Sequence, residues 1–280
     1  MAAVQITEYT DPGCPFAFSA EPVRWRLNWL FGDQIEWKLH LVVLAESPDE
    51  YLEKGFTPEM MASGTKHLAR EHGMPIDTRV RSRMGGTGPA CLAVVAARLH
   101  APELEWPLLR RFRVRMFEGE FLDDPETIAA AAVDVGIDPT QLQAWTQDPK
   151  VLEAYATDKA DSRNPTPAAL AQAHKLAKWE GGMRYTCPSY EIKGPAGTIA
   201  VPGFQPWAAY EVALANVAPD LRRKDAPDDA AELLRWAELP LASKEVAVVM
   251  DTDVPTAREA LGLVAVEHHV GADGYWSLTD

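Results

Sequence analysis

Residues Val4 to Thr10, VQITEYT, alternate apolar with polar positions and are rich in β-formers, which predicts a strand. The Asp11-Pro12-Gly13 triplet ends it. CPFAFSAEPVRWRLNWLFGD then predicts a helix from Cys14 to Gly32, with a proline at its first helical position and a glycine at its end. Pro22 lies within it and predicts a kink or a break. QIEWKLHLVVLAES returns to a strand pattern. Strand, helix and strand in this order make a βαβ unit with a parallel pair.

From Pro48 to Glu180 the pattern is helical, in successive segments such as TPEMMASGTKHLAREHG, GPACLAVVAARLH, EWPLLRRFRVRMFEGEF and TPAALAQAHKLAKWEG. Asp-Pro or Thr-Pro opens five of these segments, which is helix-start chemistry. β character returns in MRYTCPSYEIKG and GTIAVPG, with KGPAGT as a hairpin signal between them, and QPWAAYEVALANVA closes the unit as a helix. A tail remains. DAAELLRWAEL, ASKEVAVVMDTD and VPTAREALGLVAV read as three short helices, and EHHVGADGYWSL as a two-stranded wing, an outline like a winged helix.

A βαβ half, an inserted helical block and a closing ββα half are the order of a thioredoxin fold. The DPGCP turn, the all-helical insert and the return TCPSYEI…GTIAVPGFQPW resemble the DsbA-like family, in its cytoplasmic FrnE and hydroxychromene-carboxylate isomerase branch, over residues 1–222. The fold class this implies is α/β: a thioredoxin fold with a large inserted helical domain, plus a small C-terminal winged-helix-like module. The expected divisions are a discontinuous thioredoxin-like domain at 1–48 and 181–222, the insert at 49–180, and the C-terminal module at 223–280.

Charge narrows the partners. The chain of 280 residues carries a net charge of −14, and its last 53 residues hold three basic against eleven acidic residues. That argues against nucleic acid and anionic lipid as partners, since both need a basic face. The tail is therefore expected to be a packing or dimerisation module, with a homodimer as one outcome. Two local runs go the other way: Arg79, Arg81 and Arg83 in TRVRSR, and Arg110 to Arg115 in RRFRVR. They predict solvated faces or an anchor for an anionic small molecule. No run of eighteen apolar residues exists, and MAAVQITEYTD has no basic-then-apolar leader. With only three well-separated cysteines, the expected location is cytoplasmic.

The candidate chemistry is in the cysteines. A thiol at a helix N-terminus faces unsatisfied N–H groups and the positive end of the dipole, so Cys14 should ionise below the free thiol value of about 8.5. The resemblance implies that Cys14 is the catalytic nucleophile. It also implies that Pro188 is a cis proline, which sets Cys187 beside Cys14. Ala17 stands where the family's redox members carry a second thiol, so CPFA cannot run a Cys-x-x-Cys cycle. Cys187 is the expected resolving thiol, with a plain strand residue as the competing reading. Pro15, Phe16, Phe18, Thr186 and Cys91 are the expected substrate-binding residues, Phe16 as an exposed aromatic and Cys91 on a helix that the resemblance turns toward the site. Packing is the competing reading for Phe18 and Cys91. The seven histidines have no metal-ligand spacing, and no metal is expected.

Three functions follow. The first is a cytoplasmic thiol-dependent oxidoreductase built on Cys14, or a transferase or isomerase that uses a low-molecular-weight thiol on a hydrophobic small molecule. The second is a redox-inactive binding scaffold. The third is a thiolate binder of soft metals. No tightly bound cofactor is expected, only a small thiol as co-substrate.

Overall fold

The computed structural model describes residues 3–279. After β1 (Val4–Thr10), the single helix expected from Cys14 is two: α1 (Pro15–Ser19) and α2 (Glu21–Phe31). Ala20 separates them, and Pro22 falls in the first turn of α2, where a missing amide costs nothing. β2 (Ile35–Leu41) pairs parallel with β1, Val4 opposite Ile35 and Thr10 opposite Leu41.

The insert comprises α3 (Pro48–Glu53), α4 (Pro58–His72), α5 (Gly88–His100), α6 (Glu105–Glu118), α7 (Pro125–Asp134), α8 (Pro139–Trp145), α9 (Pro149–Ser162) and α10 (Pro167–Leu170). Thr57, Asp124, Asp138, Asp148 and Thr166 each accept a backbone N–H of the first turn, and proline follows each at the first helical position. This is the reason for the Asp-Pro and Thr-Pro spacing. The helix expected to run through LAKWEG stops at Leu170. Instead β3 (Ala177–Trp179) pairs with β4 (Gly182–Arg184), because Gly182 takes a φ of +129° that lets the chain reverse.

β5 (Ser189–Gly194), β6 (Gly197–Pro202) and α11 (Trp207–Val217) complete a four-stranded sheet of order β2-β1-β5-β6, with β5 antiparallel to both neighbours. One face packs Val23 and Leu27 of α2 and Tyr210, Leu214 and Val217 of α11 against Ile6, Ile35, Ile192 and Val201. Leu39 and Leu41 of β2 join the core of the insert, with Val94, Leu108, Phe112 and Val151.

The tail consists of α12 (Ala230–Ala237), the two-residue β7 (Leu241–Ala242), α13 (Ser243–Val249), α14 (Val254–Gly262), β8 (Ala265–Val270) and β9 (Asp273–Leu278). The three strands form a sheet of order β7-β9-β8. The last helix ends sooner than its pattern suggests, and Ala265 and Val266 belong to β8. Leu233, Val246, Leu261 and Trp276 bury themselves on Trp25, Trp29 and Leu30 of α2, so the tail packs on the body of the same chain.

A buried ionic network ties these parts together. Glu8 of β1 accepts from Arg24 of α2 at 2.9 Å and from Arg113 of α6 at 3.1 Å. Arg113 also reaches Glu21 and Thr10. Arg110 bridges Glu21 at 3.1 Å and Glu245 of α13 at 2.7 Å. The expectation of a solvated or ligand-binding RRFRVR run is therefore corrected: Arg110 and Arg113 are buried structural cations. In the other run Arg79 pairs with Asp77, Arg83 pairs with Asp123, and Arg81 donates to the carbonyls of Met116 and Glu120 at the end of α6.

Removing one member of such a network leaves its partners charged and buried, at a cost of about 3–5 kcal/mol. Arg113→Ala should therefore lower the urea unfolding free energy by that amount with an unchanged slope, whereas Arg79→Ala, whose side chain is solvated, should leave the midpoint where it is.

Candidate functional site

β1 delivers the chain to a tight turn at its C-terminal end. Asp11 organises that turn. Its Oδ1 accepts the Gly13 amide at 2.7 Å, and its Oδ2 accepts the Leu44 amide and the Thr87 hydroxyl, each at 2.8 Å. Gly13 is required by close approach, since a Cβ there would lie 2.5 Å from Thr87 Cγ2. Burial pushes the Asp11 carboxyl above the usual carboxylate range, against these donors. The sequence reading took Asp-Pro-Gly only as a strand breaker. An aspartate two residues ahead of a glycine amide is itself the sign of a side-chain-closed turn.

Cys14 is the N-cap of α1, followed by Pro15. As a thiol, its Sγ donates to the Cys187 carbonyl at 3.3 Å. The Cys187–Pro188 peptide is cis, as the resemblance implies. Cys14 is 5% exposed and Cys187 8%. Cys14 ionises below an ordinary thiol. The largest cause is a hydrogen bond from the Cys187 thiol to the anion; burial opposes it, the Ala17 and Phe16 amides support it, and Asp11 opposes it. Burial first, then the neighbouring Cys14 anion, pushes Cys187 up. Of the two sulfurs, Cys14 is the one favoured as the anion and Cys187 the one favoured as the thiol.

Beside the pair lies an aromatic floor. Tyr9 stacks on Tyr185 at 3.7 Å between ring centroids, and the Tyr185 hydroxyl donates to Glu191 at 2.6 Å. Above it is the mouth. Phe16 is 42% exposed, and its ring lies 6.4 Å from that of Phe204. His72, the last residue of α4, stacks on Phe204 at 4.3 Å. No pattern in the sequence linked His72 to the site, because α4 reaches it only through the fold.

The remaining expected residues divide. Thr186 adjoins the site, where its hydroxyl donates to the Lys175 carbonyl at 2.8 Å and faces Ser189. Phe18 does not reach the mouth. It is fully buried and stacks on Phe117 at 4.6 Å, because two residues along a helix turn a side chain by about 200° from Phe16. Cys91 also lacks surface. It lies in the insert core with its Sγ 3.5 Å from Asp11 Oδ2, and burial pushes it well above an ordinary thiol. It therefore packs behind the turn and touches no space a substrate could enter. Cys14 and Cys187 share one cluster, and Cys91 belongs to another.

Residues 5–164 match the family model of the DSBA-like thioredoxin domain. The chain belongs to the DSBA-like thioredoxin family. Solved structures superpose on most of it at low identity. A Nitrosomonas europaea protein does so with a TM-score of 0.58 and 16% identity, covering 75% of this chain and 95% of that one. A probable DsbA oxidoreductase from Streptomyces coelicolor gives 0.55 and 18%, covering 81% and 94%. The cytosolic disulfide reductase DsbM from Pseudomonas aeruginosa gives 0.55 and 15%, covering 76% and 100%. No curated protein matches the sequence. No described helix is long and apolar enough to cross a membrane.

Alkylation should follow the thiolate. The iodoacetamide rate of Cys14 should rise with pH and level off through a midpoint below the ordinary value of about 8.5. Peptide mass spectrometry should find Cys91 and Cys187 unlabelled over that window. Cys187→Ala removes the strongest donor to the anion, so it should move the Cys14 midpoint upward, and Cys187→Ser, which keeps a donor, should move it less.

Proposed function

We propose that the protein is a thiol–disulfide oxidoreductase of a reducing, cytoplasmic compartment. Cys14 is its nucleophile, Cys187 its resolving thiol and a low-molecular-weight thiol its reductant. The observation that carries this reading is the contact of Cys14 with Cys187, one sulfur favoured as the anion and the other kept protonated. The missing Cys-x-x-Cys partner is replaced by a residue just ahead of β5, the strand that pairs with β1.

The Cys14 thiolate attacks one sulfur of a substrate disulfide, forming a mixed disulfide and releasing one substrate thiol. The negative charge on Cys14 is then gone, and with it one of the causes that hold Cys187 protonated. Cys187 loses its proton, attacks Cys14 Sγ and releases the second substrate thiol, leaving a Cys14–Cys187 disulfide. Two equivalents of the small thiol reduce that disulfide and leave as their own disulfide. The DsbM fold relative has been solved with GSH, which makes glutathione the first reductant to try. The aromatic mouth favours a second reading, in which a small thiol and Cys14 act together on a hydrophobic molecule as transferase or isomerase.

Turnover of 2-hydroxyethyl disulfide with glutathione, coupled to glutathione reductase, tests the proposal. Cys14→Ser should lose activity by about 100-fold or more, as removing a nucleophile does. Diamide treatment followed by non-reducing peptide mapping should yield the Cys14–Cys187 pair. Wild-type turnover by Cys14→Ser refutes the oxidoreductase reading. A glutathione adduct on Cys14 with a free Cys187 transfers the weight to the second reading.

A further inference from the structure

The nucleophile is almost without surface, yet the reaction proposed above requires another molecule to reach it. Three rings from separate segments cluster at the exposed Phe16, two residues along the chain from Cys14. Phe16 belongs to the helix that Cys14 caps. Phe204 follows Gly203, whose amide is held by Ser189 beside the Cys187–Pro188 loop. His72 comes from the insert and lies flat on Phe204, 4.3 Å away at 16°, with Phe16 edge-on at 5.9 Å.

The His72 ring is an unusual occupant of that position. Its Nδ1 is buried and has no hydrogen-bond partner, so the ring gains only stacking there while a polar atom goes unsatisfied. The helix that carries it is loosely held. Of the fifteen residues of α4 only Leu68 is buried, and α4 leans on α1. A left-handed glycine, Gly73 with φ +74°, ends it directly after His72. Such an element opens at lower cost than the packed helices behind it.

We propose that His72 is a latch over Cys14, and that a planar aromatic group of the substrate takes its place on Phe204. The site thereby selects aromatic thiols and disulfides over aliphatic ones. A flat apolar ring keeps the stacking and does not bury the unpartnered nitrogen, so the exchange of His72 for the substrate is favourable. Phe16 then supplies an edge to the incoming ring, in the T-shaped geometry it now makes with His72. This inference rests on Cys14 as nucleophile.

Two neutral probes separate the cases: diphenyl disulfide, which is aromatic and has no ring nitrogen, and 2-hydroxyethyl disulfide, which is aliphatic. Each Cys14 rate is measured on the full chain and divided by the rate of N-acetylcysteine with the same reagent, at equal thiolate fraction. The thiolate attacks one sulfur, a mixed disulfide forms, and the other half leaves as thiolate and takes up a proton from water. The wild-type protein should favour the aromatic probe about tenfold after this normalisation, the factor that corresponds to about 1.4 kcal/mol. His72→Ala should raise the aliphatic rate by a similar factor, because the mouth stands open. His72→Phe should restore the low aliphatic rate, and Phe204→Leu should abolish the preference. A wild-type protein without aromatic preference overturns the latch, as do unchanged rates in His72→Ala. Those results leave Cys14 as a working nucleophile. A Cys14 inert to both probes even in His72→Ala overturns the latch and the oxidoreductase reading together.

Discussion

The ionic network around Arg113 is the constraint to which the rest of the structure conforms. It holds three carboxylates and three guanidinium groups inside the protein, drawn from β1, α2, α6 and α13. Taking those charges out of water is expensive, and the cost is recovered only when every partner is in position. Glu8 shows the balance: burial pushes its carboxyl up, and Arg113 and Arg24 together pull it below the ordinary range. Neither the insert nor the tail can shift from α2 without leaving a buried charge uncompensated. The network therefore fixes the relation of three segments that share little backbone pairing.

That fixed frame is what makes the thiol pair possible. β1 carries Glu8 in the network and, after Thr10, the turn that presents Cys14. β5 pairs with β1 from Gln5 opposite Lys193 to Tyr9 opposite Ser189, so the residues just before Ser189 fall beside the residues just after Tyr9. Cys187 meets Cys14 by strand register, and the pair inherits the rigidity of the sheet. By contrast, the mouth is built from α4 and from the loop after β6, which lie outside the ionic frame. Precision is concentrated at the sulfurs and freedom at the entrance, as a site that must admit a substrate requires.

The sequence by itself determined most of the elements and their order. Alternation marked β1, Asp-Pro and Thr-Pro marked the helix starts, and the Gly-rich hairpin marked the return to the sheet. Cys187 entered through the family resemblance, but Cys14 stood out because a proline follows it at a helix start. These are local signals, set by backbone chemistry within a few residues, and a chain displays them before it folds. What the signals could not convey is which side of an element meets which neighbour. The alternate arginines of α6 look like a solvated run until Glu21 and Glu245, distant in sequence, are brought onto them. Phe16 and Phe18 look alike until the direction of α1 turns one outward and the other into the core. Only the tertiary structure decided that Cys91 supports the turn from behind and that His72 stacks on Phe204. Each of those outcomes is a contact between residues tens to hundreds of positions apart, and such contacts depend on packing.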